Sequence, residues 1–137
     1  MFKYEKALKV TAKEIYDLLL EEIAFEASEK SGKKHEVKDI EKGCRYNYKR
    51  KNGNKQITAY VDVRKPSLEK IETIYEMSNE KYVFCYLIKD EGPNCVLTYT
   101  QEGGKQSGLA DFFMKRQMSK RFTAFERTII QRRKETA

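Results

Sequence analysis

The stretch LADFFMKRQMSKRFTAFERTIIQRRK, residues 109–134, decides the fold. Within it Met114, Met118, Phe122, Phe125 and Ile129 recur at spacings of four, four, three and four. At about 100° per residue these positions form one narrow stripe of a helix. Arg116, Lys120, Arg127 and Lys134 fall on the opposite side, and no Gly or Pro interrupts the run. The pattern predicts one long amphipathic helix whose stripe must lie on apolar surface supplied by the rest of the chain.

Outward from that helix, Gly103-Gly104 through Gly108 reads as a flexible linker. Asp111 sits where a helix N-terminus favours negative charge. Before the linker the apolar period changes from 3.6 to two. Cys44, Tyr46 and Tyr48 alternate with Arg45, Asn47 and Lys49; after an Asn52-Gly53-Asn54 turn, Ile57, Ala59, Val61 and Val63 alternate with polar residues. A third strand is expected over Leu68–Met77, with Ile71, Thr73, Tyr75 and Met77 on one face. Ser78-Asn79 turns the chain, and Tyr82–Ile88 is apolar on both faces, which places it centrally in a sheet. Cys95–Thr100 is the last strand, after a turn at Gly92-Pro93. At the other end Phe2–Val10 alternates as a strand, and Thr11 with Glu14 forms a capping box. The helix so opened carries Ala12, Ile15, Tyr16, Leu19, Ile23 and Ala27 on one face and stops at Ser31-Gly32. Between it and Gly43, Val37 and Ile40 anchor only a helical turn or a loop. Strand, helix, a run of hairpin-linked strands and a terminal helix make an α+β meander: one sheet whose apolar face the helices cover.

The chain has 137 residues, 39% hydrophobic and 36% charged, which suits a single domain over 1–137 with a charged surface. A net charge of +7 permits an anionic partner but serves plain solubility equally well. Cys44, Cys85 and Cys95 lack metal or CxxC spacing. They read as reduced thiols in a cytoplasmic protein, since MFKYEKALKV is no signal peptide and no apolar run is long enough to span a membrane. His35, the single histidine, lies in a polar stretch. No phosphate loop, metal cluster or nucleophile–base pair is visible, so neither a cofactor nor an enzyme is expected. The residual catalytic reading is a lyase or cyclase using Tyr and a carboxylate such as Asp62 or Glu72.

The order of Phe2–Val10, Thr11–Ala27, the meander Gly43–Thr100 and Leu109–Lys134 resembles the START-like, or helix-grip, superfamily of polyketide-cyclase and birch-pollen-allergen-like proteins. Within it the chain is most similar to a small bacterial family of unknown function. That likeness rests on KALKVTAKEIYDLL, the Gly43-led hairpin strand with its Asn-Gly turn, LTYTQEG and the basic helix end Gln131-Arg132-Arg133-Lys134. The resemblance implies a curved antiparallel meander wrapped around the C-terminal helix, with short helices after the first strand. That superfamily pattern has seven strands against the six legible here, so either a short strand lies near Val37–Ile40 or the sheet, and its cavity, is reduced.

The resemblance also implies a cavity between sheet and helix that binds a small hydrophobic or amphipathic, lipid-like molecule. The residues expected to line it are Tyr46, Tyr48, Val61, Val63, Thr73, Tyr75, Leu97, Tyr99, Phe112, Met118, Phe122 and Phe125. The Met/Phe stripe would bury the apolar part and tyrosine hydroxyls would hold the polar end. The same side chains suit a core packed against itself. The alternative is a basic interaction module for nucleic acid or an anionic membrane or protein partner. It rests on Lys115, Arg116, Lys120, Arg121, Arg127, Arg132, Arg133 and Lys134 of the helix and Lys49-Arg50-Lys51, with Tyr60 and Tyr82 on the outer sheet face.

Overall fold

Thr11 opens the first helix as its spacing to Glu14 predicts. The Glu14 amide donates to Thr11 Oγ1 at 3.1 Å, and the Thr11 amide donates to Glu14 Oε1 at 2.9 Å. The computed structural model describes residues 1–104 and 108–136, so residues 105–107 of the expected linker lie outside the described residues. In chain order the elements are β1 (Phe2–Leu8), α1 (Ala12–Ser31), α2 (Val37–Glu41), β2 (Cys44–Asn52), β3 (Lys55–Val63), β4 (Lys70–Met77), β5 (Glu80–Glu91), β6 (Asn94–Glu102) and α3 (Gly108–Thr136). Gly32 ends α1 at φ +73°, its amide donating to the Ser28 carbonyl at 3.1 Å.

The six strands form one curved antiparallel sheet in the order β1-β6-β5-β4-β3-β2. β2 to β6 are a meander, and β1 returns to pair with β6, Phe2 opposite Gln101 and Leu8 opposite Cys95. β5 lies inside the sheet, as its two apolar faces predict. Ser78 and Asn79, at φ +50° and +66°, make the two-residue β4–β5 turn whose left-handed conformations suit the strand twist.

The expected helical turn around Val37 and Ile40 is the helix α2: the Glu36 amide caps onto Asp39 Oδ2 at 2.9 Å and the Ile40 amide donates back to the Glu36 carbonyl. Of the two alternatives for this stretch the sheet takes the six-stranded one, with no strand there. One expectation is corrected. The strand expected from Leu68 begins at Lys70: the Ser67 amide donates to the Lys70 carbonyl at 2.9 Å, so Leu68 and Glu69 form a tight corner and Leu68 is exposed.

The core lies between the inner sheet face and the helices. On α3, Met118, Phe122, Phe125 and Ile129 are buried and Met114 half-buried, in line with the sequence stripe. Phe122 meets the Tyr4 ring edge-on at 5.0 Å. Leu18, Leu20 and Ala24 of α1 are buried as well as the predicted face, because α1 packs against the sheet, α2 and α3 together. Polar latches tie the end of α3 to α1: Arg132 Nη1 donates to Glu21 Oε2 at 2.6 Å, and Arg133 Nε to Glu14 Oε2 at 2.7 Å. No helix among the described residues is long and apolar enough to cross a membrane.

Candidate functional site

Strict period-two alternation sends Tyr46 and Tyr48 of β2, Val61 of β3, Thr73 and Tyr75 of β4, and Tyr99 of β6 to the inner face. Register then aligns them. Tyr46 stands opposite Val61, Val61 opposite Tyr75 and Tyr75 opposite Tyr82; Thr73 faces Phe84, and Tyr86 faces Tyr99. The rings form a continuous floor. Tyr46 and Tyr48 stack at 6.4 Å, Tyr48 and Tyr75 meet edge-on at 6.3 Å, Tyr82 stacks on Phe84 at 6.3 Å and Phe84 on Tyr99 at 6.5 Å. The small side chains of Val61 and Thr73 lie among these large ones and leave the floor hollow.

The helices do not close over this hollow. α1 presents Ile23, Glu26 and Lys30, at helical spacings of three and four, and α3 presents Met118 and Arg121. The result is a cleft of about 720 Å³ between sheet and helices. That lies within the roughly 300–1,000 Å³ typical of small-molecule sites.

Polar groups mark its wall. The Tyr48 and Tyr75 hydroxyls hydrogen-bond each other, Lys30 Nζ donates to the Tyr48 hydroxyl at 3.3 Å, and Lys30 pairs with Glu26 at 2.7 Å. The Tyr99 hydroxyl donates to Gln101 Oε1 at 2.9 Å. Burial pushes the Tyr46, Tyr75 and Tyr99 phenols upward and Tyr86 up to about 12, so all are neutral hydrogen-bonding groups at neutral pH. Burial works against the Lys30 charge, but the hydrogen bonds it donates to Glu26 and Tyr48 outweigh it and hold its pKa above the ordinary lysine value. Lys30 is therefore a cation. The arrangement can bury an apolar body on aromatic rings and hold a polar end by phenols and cations.

Of the expected lining residues, the structure brings together Tyr46, Tyr48, Val61, Thr73, Tyr75, Tyr99 and Met118 around the cleft. Val63, Leu97, Phe122 and Phe125 are sealed in the packed core instead. Phe112 is 60% exposed, because it stands two residues, about 200° around α3, from the half-buried Met114 and so off the stripe; Leu109 and Phe113 lie off it too. Tyr82, expected on the outer face, is opposite Tyr75 and lines the cleft. β5 is apolar on both faces, so parity could not be read within it. Asp62 and Glu72 occupy the outer face, where Asp62 lies 3.6 Å from Arg45 and Glu72 3.6 Å from Lys70, away from the cleft.

Sequence reasoning missed Glu26, Lys30, Arg50, Phe84, Tyr86 and Arg121 as lining residues. A signal existed for three of the charged ones. Arg50 continues the parity of Tyr46 and Tyr48, Glu26 lies three residues beyond Ile23, and Arg121 three beyond Met118. The eight basic residues of α3 do not form one free surface, since Arg132 and Arg133 are bound to α1 and Arg121 lines the cleft. Cys85 and Cys95 are buried thiols, and burial raises Cys95 to about 11. Half-buried His35 donates its amide to Ser28 Oγ at 2.8 Å and lies 5.8 Å from the Tyr46 ring. Among the described residues no group of three or more His, Cys, Asp or Glu is placed to hold a metal ion.

A family model described as a domain of unknown function (DUF3284) matches residues 2–118. The Mll3558 protein from Rhizobium loti has a similar structure, with a TM-score of 0.56 at 11% identity over 93% of this chain and 94% of that one. The TTHA0849 protein from Thermus thermophilus is similar with a TM-score of 0.53 at 13% identity, over 95% of this chain and 97% of that one. At such identities the likeness shows a shared fold alone. No curated protein matches the chain.

Proposed function

The chain belongs to the family of the domain of unknown function DUF3284, and on that premise we propose that it binds a small hydrophobic or amphipathic molecule without transforming it. We read residues 1–137 as one START-like helix-grip domain whose cleft between sheet and helices is the binding site. The observation that carries this reading is the aromatic floor left uncovered in a cleft of about 720 Å³. An apolar body laid on Tyr46, Tyr48, Tyr75 and Phe84, the half-buried rings of the floor, would remove both surfaces from water, at roughly 25 cal/mol per Å² of apolar area. Phenol hydroxyls, neutral at physiological pH, would orient the polar end.

Binding of the neutral dye N-phenyl-1-naphthylamine, followed by its fluorescence, tests the proposal. The wild-type protein should bind it saturably. Thr73→Trp, which fills the hollow, should weaken binding by at least about tenfold, the equivalent of about 1.4 kcal/mol. A urea melt confirms that the variant is folded. A wild-type protein that binds no dye, or a folded T73W that binds it undiminished, overturns the proposal.

The second reading, a basic interaction module for nucleic acid or an anionic membrane or protein partner, rests on the exposed Lys49 and Lys51 of β2 and Lys115, Arg116 and Lys120 of α3. A salt titration separates the two. Phosphate binding falls steeply with ionic strength, whereas burial of a neutral dye does not.

A further inference from the structure

We propose that the cleft selects an amphipathic anion, an apolar body ending in a carboxylate or a similar oxyanion, and discriminates against neutral and cationic analogues of the same shape. The inference rests on the cleft being a binding site, as proposed above, and goes on to name the class of ligand.

The charge around the cleft is unequal. Lys30, Arg50 and Arg121 line it, against the single carboxylate of Glu26. Glu26 is already engaged by Lys30 at 2.7 Å. Among the described residues neither guanidinium has a carboxylate within ion-pair distance. Burial raises Tyr75 and the Glu80 carboxylate, which accepts from the Tyr82 hydroxyl, raises Tyr82; Arg50 lies near both phenols and opposes these shifts weakly. Arg121 stacks over the Phe125 ring at 5.4 Å and lies beside Tyr86. Each guanidinium is within hydrogen-bond reach of one phenol, Arg50 of Tyr75 and Arg121 of Tyr86, and its five N–H donors leave others for the fork of a carboxylate or phosphate.

The two arginines come from opposite walls. Arg50 is on β2, on the same strand face as Tyr46 and Tyr48, and Arg121 is on α3, one turn beyond Met118. An amphiphile with its body on the aromatic floor therefore has a cation on either side of its path to solvent. A neutral molecule in that position covers the guanidiniums without pairing them, which costs part of their hydration. A cationic one adds repulsion. An anion alone offsets that cost.

Matched twelve-carbon ligands test this by displacement of N-phenyl-1-naphthylamine below their aggregation concentrations. In low salt dodecanoate should bind more tightly than dodecanol, by up to about 25-fold, since two partly exposed ion pairs are worth up to about fivefold each. Dodecylamine should bind more weakly than dodecanol. The dodecanoate advantage should shrink in high salt, while dodecanol binding should not. In Arg50→Gln/Arg121→Gln the two ligands should bind alike, because dodecanoate loses its ion pairs while dodecanol no longer covers unpaired guanidiniums. Arg116→Gln, on the exposed side of α3, should keep the full preference. If the double variant does not fold, R50Q alone should remove about half of the preference on a logarithmic scale.

Equal binding of dodecanoate and dodecanol by the wild-type protein refutes the inference but leaves the binding proposal standing. A preference that survives the arginine substitutions refutes it as well. Failure of both ligands to displace the dye removes the cleft as a lipid site, and the inference falls with it.

Discussion

Truncation of Phe122 to alanine isolates the contact on which the architecture turns. The Phe122 side chain is fully buried, edge-on to Tyr4 at 5.0 Å and stacked on Phe125 at 6.2 Å. It joins α3 to the first strand and so to the closing edge of the meander. Removing a buried phenylalanine ring costs about 3–5 kcal/mol, from lost transfer energy and the cavity left behind. Aromatic pairing of about 0.5–1.5 kcal/mol places this site in the upper part of that range. A domain of this size has about 5–15 kcal/mol in all, so F122A should lose about a quarter or more of its stability. Phe112→Ala removes the same atoms from a side chain that is 60% exposed, and should change stability by no more than about 0.5 kcal/mol. Urea melts followed by far-ultraviolet circular dichroism read both. At a denaturant slope of about 2 kcal/mol per molar, the F122A midpoint should fall by about 1.5–2.5 M and that of F112A should hardly move. An F122A shift below about 0.5 M, or an F112A shift as large as that of F122A, would refute the claim that the stripe from Met118 onward is what the sheet grips.

Three further outcomes follow from the local chemistry. The hydrogen bond from Arg133, with those of Thr11, holds the Glu14 carboxyl at about 2, against an ordinary 4.5. The stabilisation is complete above the ordinary value and is lost as pH falls through about 2. Glu14→Gln, which keeps a capping side chain, should melt at lower denaturant at neutral pH and show a shallower acid limb. At the alkaline end, the unfolded Tyr86 ionises near the ordinary 10.0 whereas in the fold it holds its proton to about 12. In that window the unfolded state binds fewer protons, so the free energy of unfolding should decline as pH rises, and Tyr86→Phe should flatten the decline. Gly103 sits at φ +98°, and a Cβ there would overlap the Lys81 carbonyl oxygen. Gly103→Ala should therefore cost more than the roughly 1–2 kcal/mol of left-handed strain expected for Gly32→Ala, whose Cβ would meet nothing, as thermal melts of the two would show.

Much of the architecture was legible because its determinants are local. The stripe from Met114 to Ile129, the Thr11–Glu14 capping box, Gly32 at the end of α1 and the Ser78-Asn79 turn each involve residues within a few positions of one another. Their steric and hydrogen-bond preferences act before any tertiary contact forms. The inner faces of β2, β3 and β4 followed from alternation alone, which is why Tyr46, Tyr48, Val61, Thr73 and Tyr75 meet in the structure as expected.

What alternation could not reach was decided by packing. Val63 and Leu97 obey the same parity as the cleft residues but fall under the helices, and only the placement of α1 and α3 separates a sealed core position from a wall. Phe112, by contrast, was readable in advance: it is about 200° around the helix from Met114, off the stripe, and stands in water. Arg50 and Arg121 look like surface cations in one dimension. They become neighbours of an aromatic cleft only when a strand and a helix that place them about seventy residues apart in sequence are brought face to face. Residue pattern determines which way a side chain points along its own element. Which side chains then share a cleft depends on where the elements stop and how far apart they pack, and those distances are properties of the assembled fold.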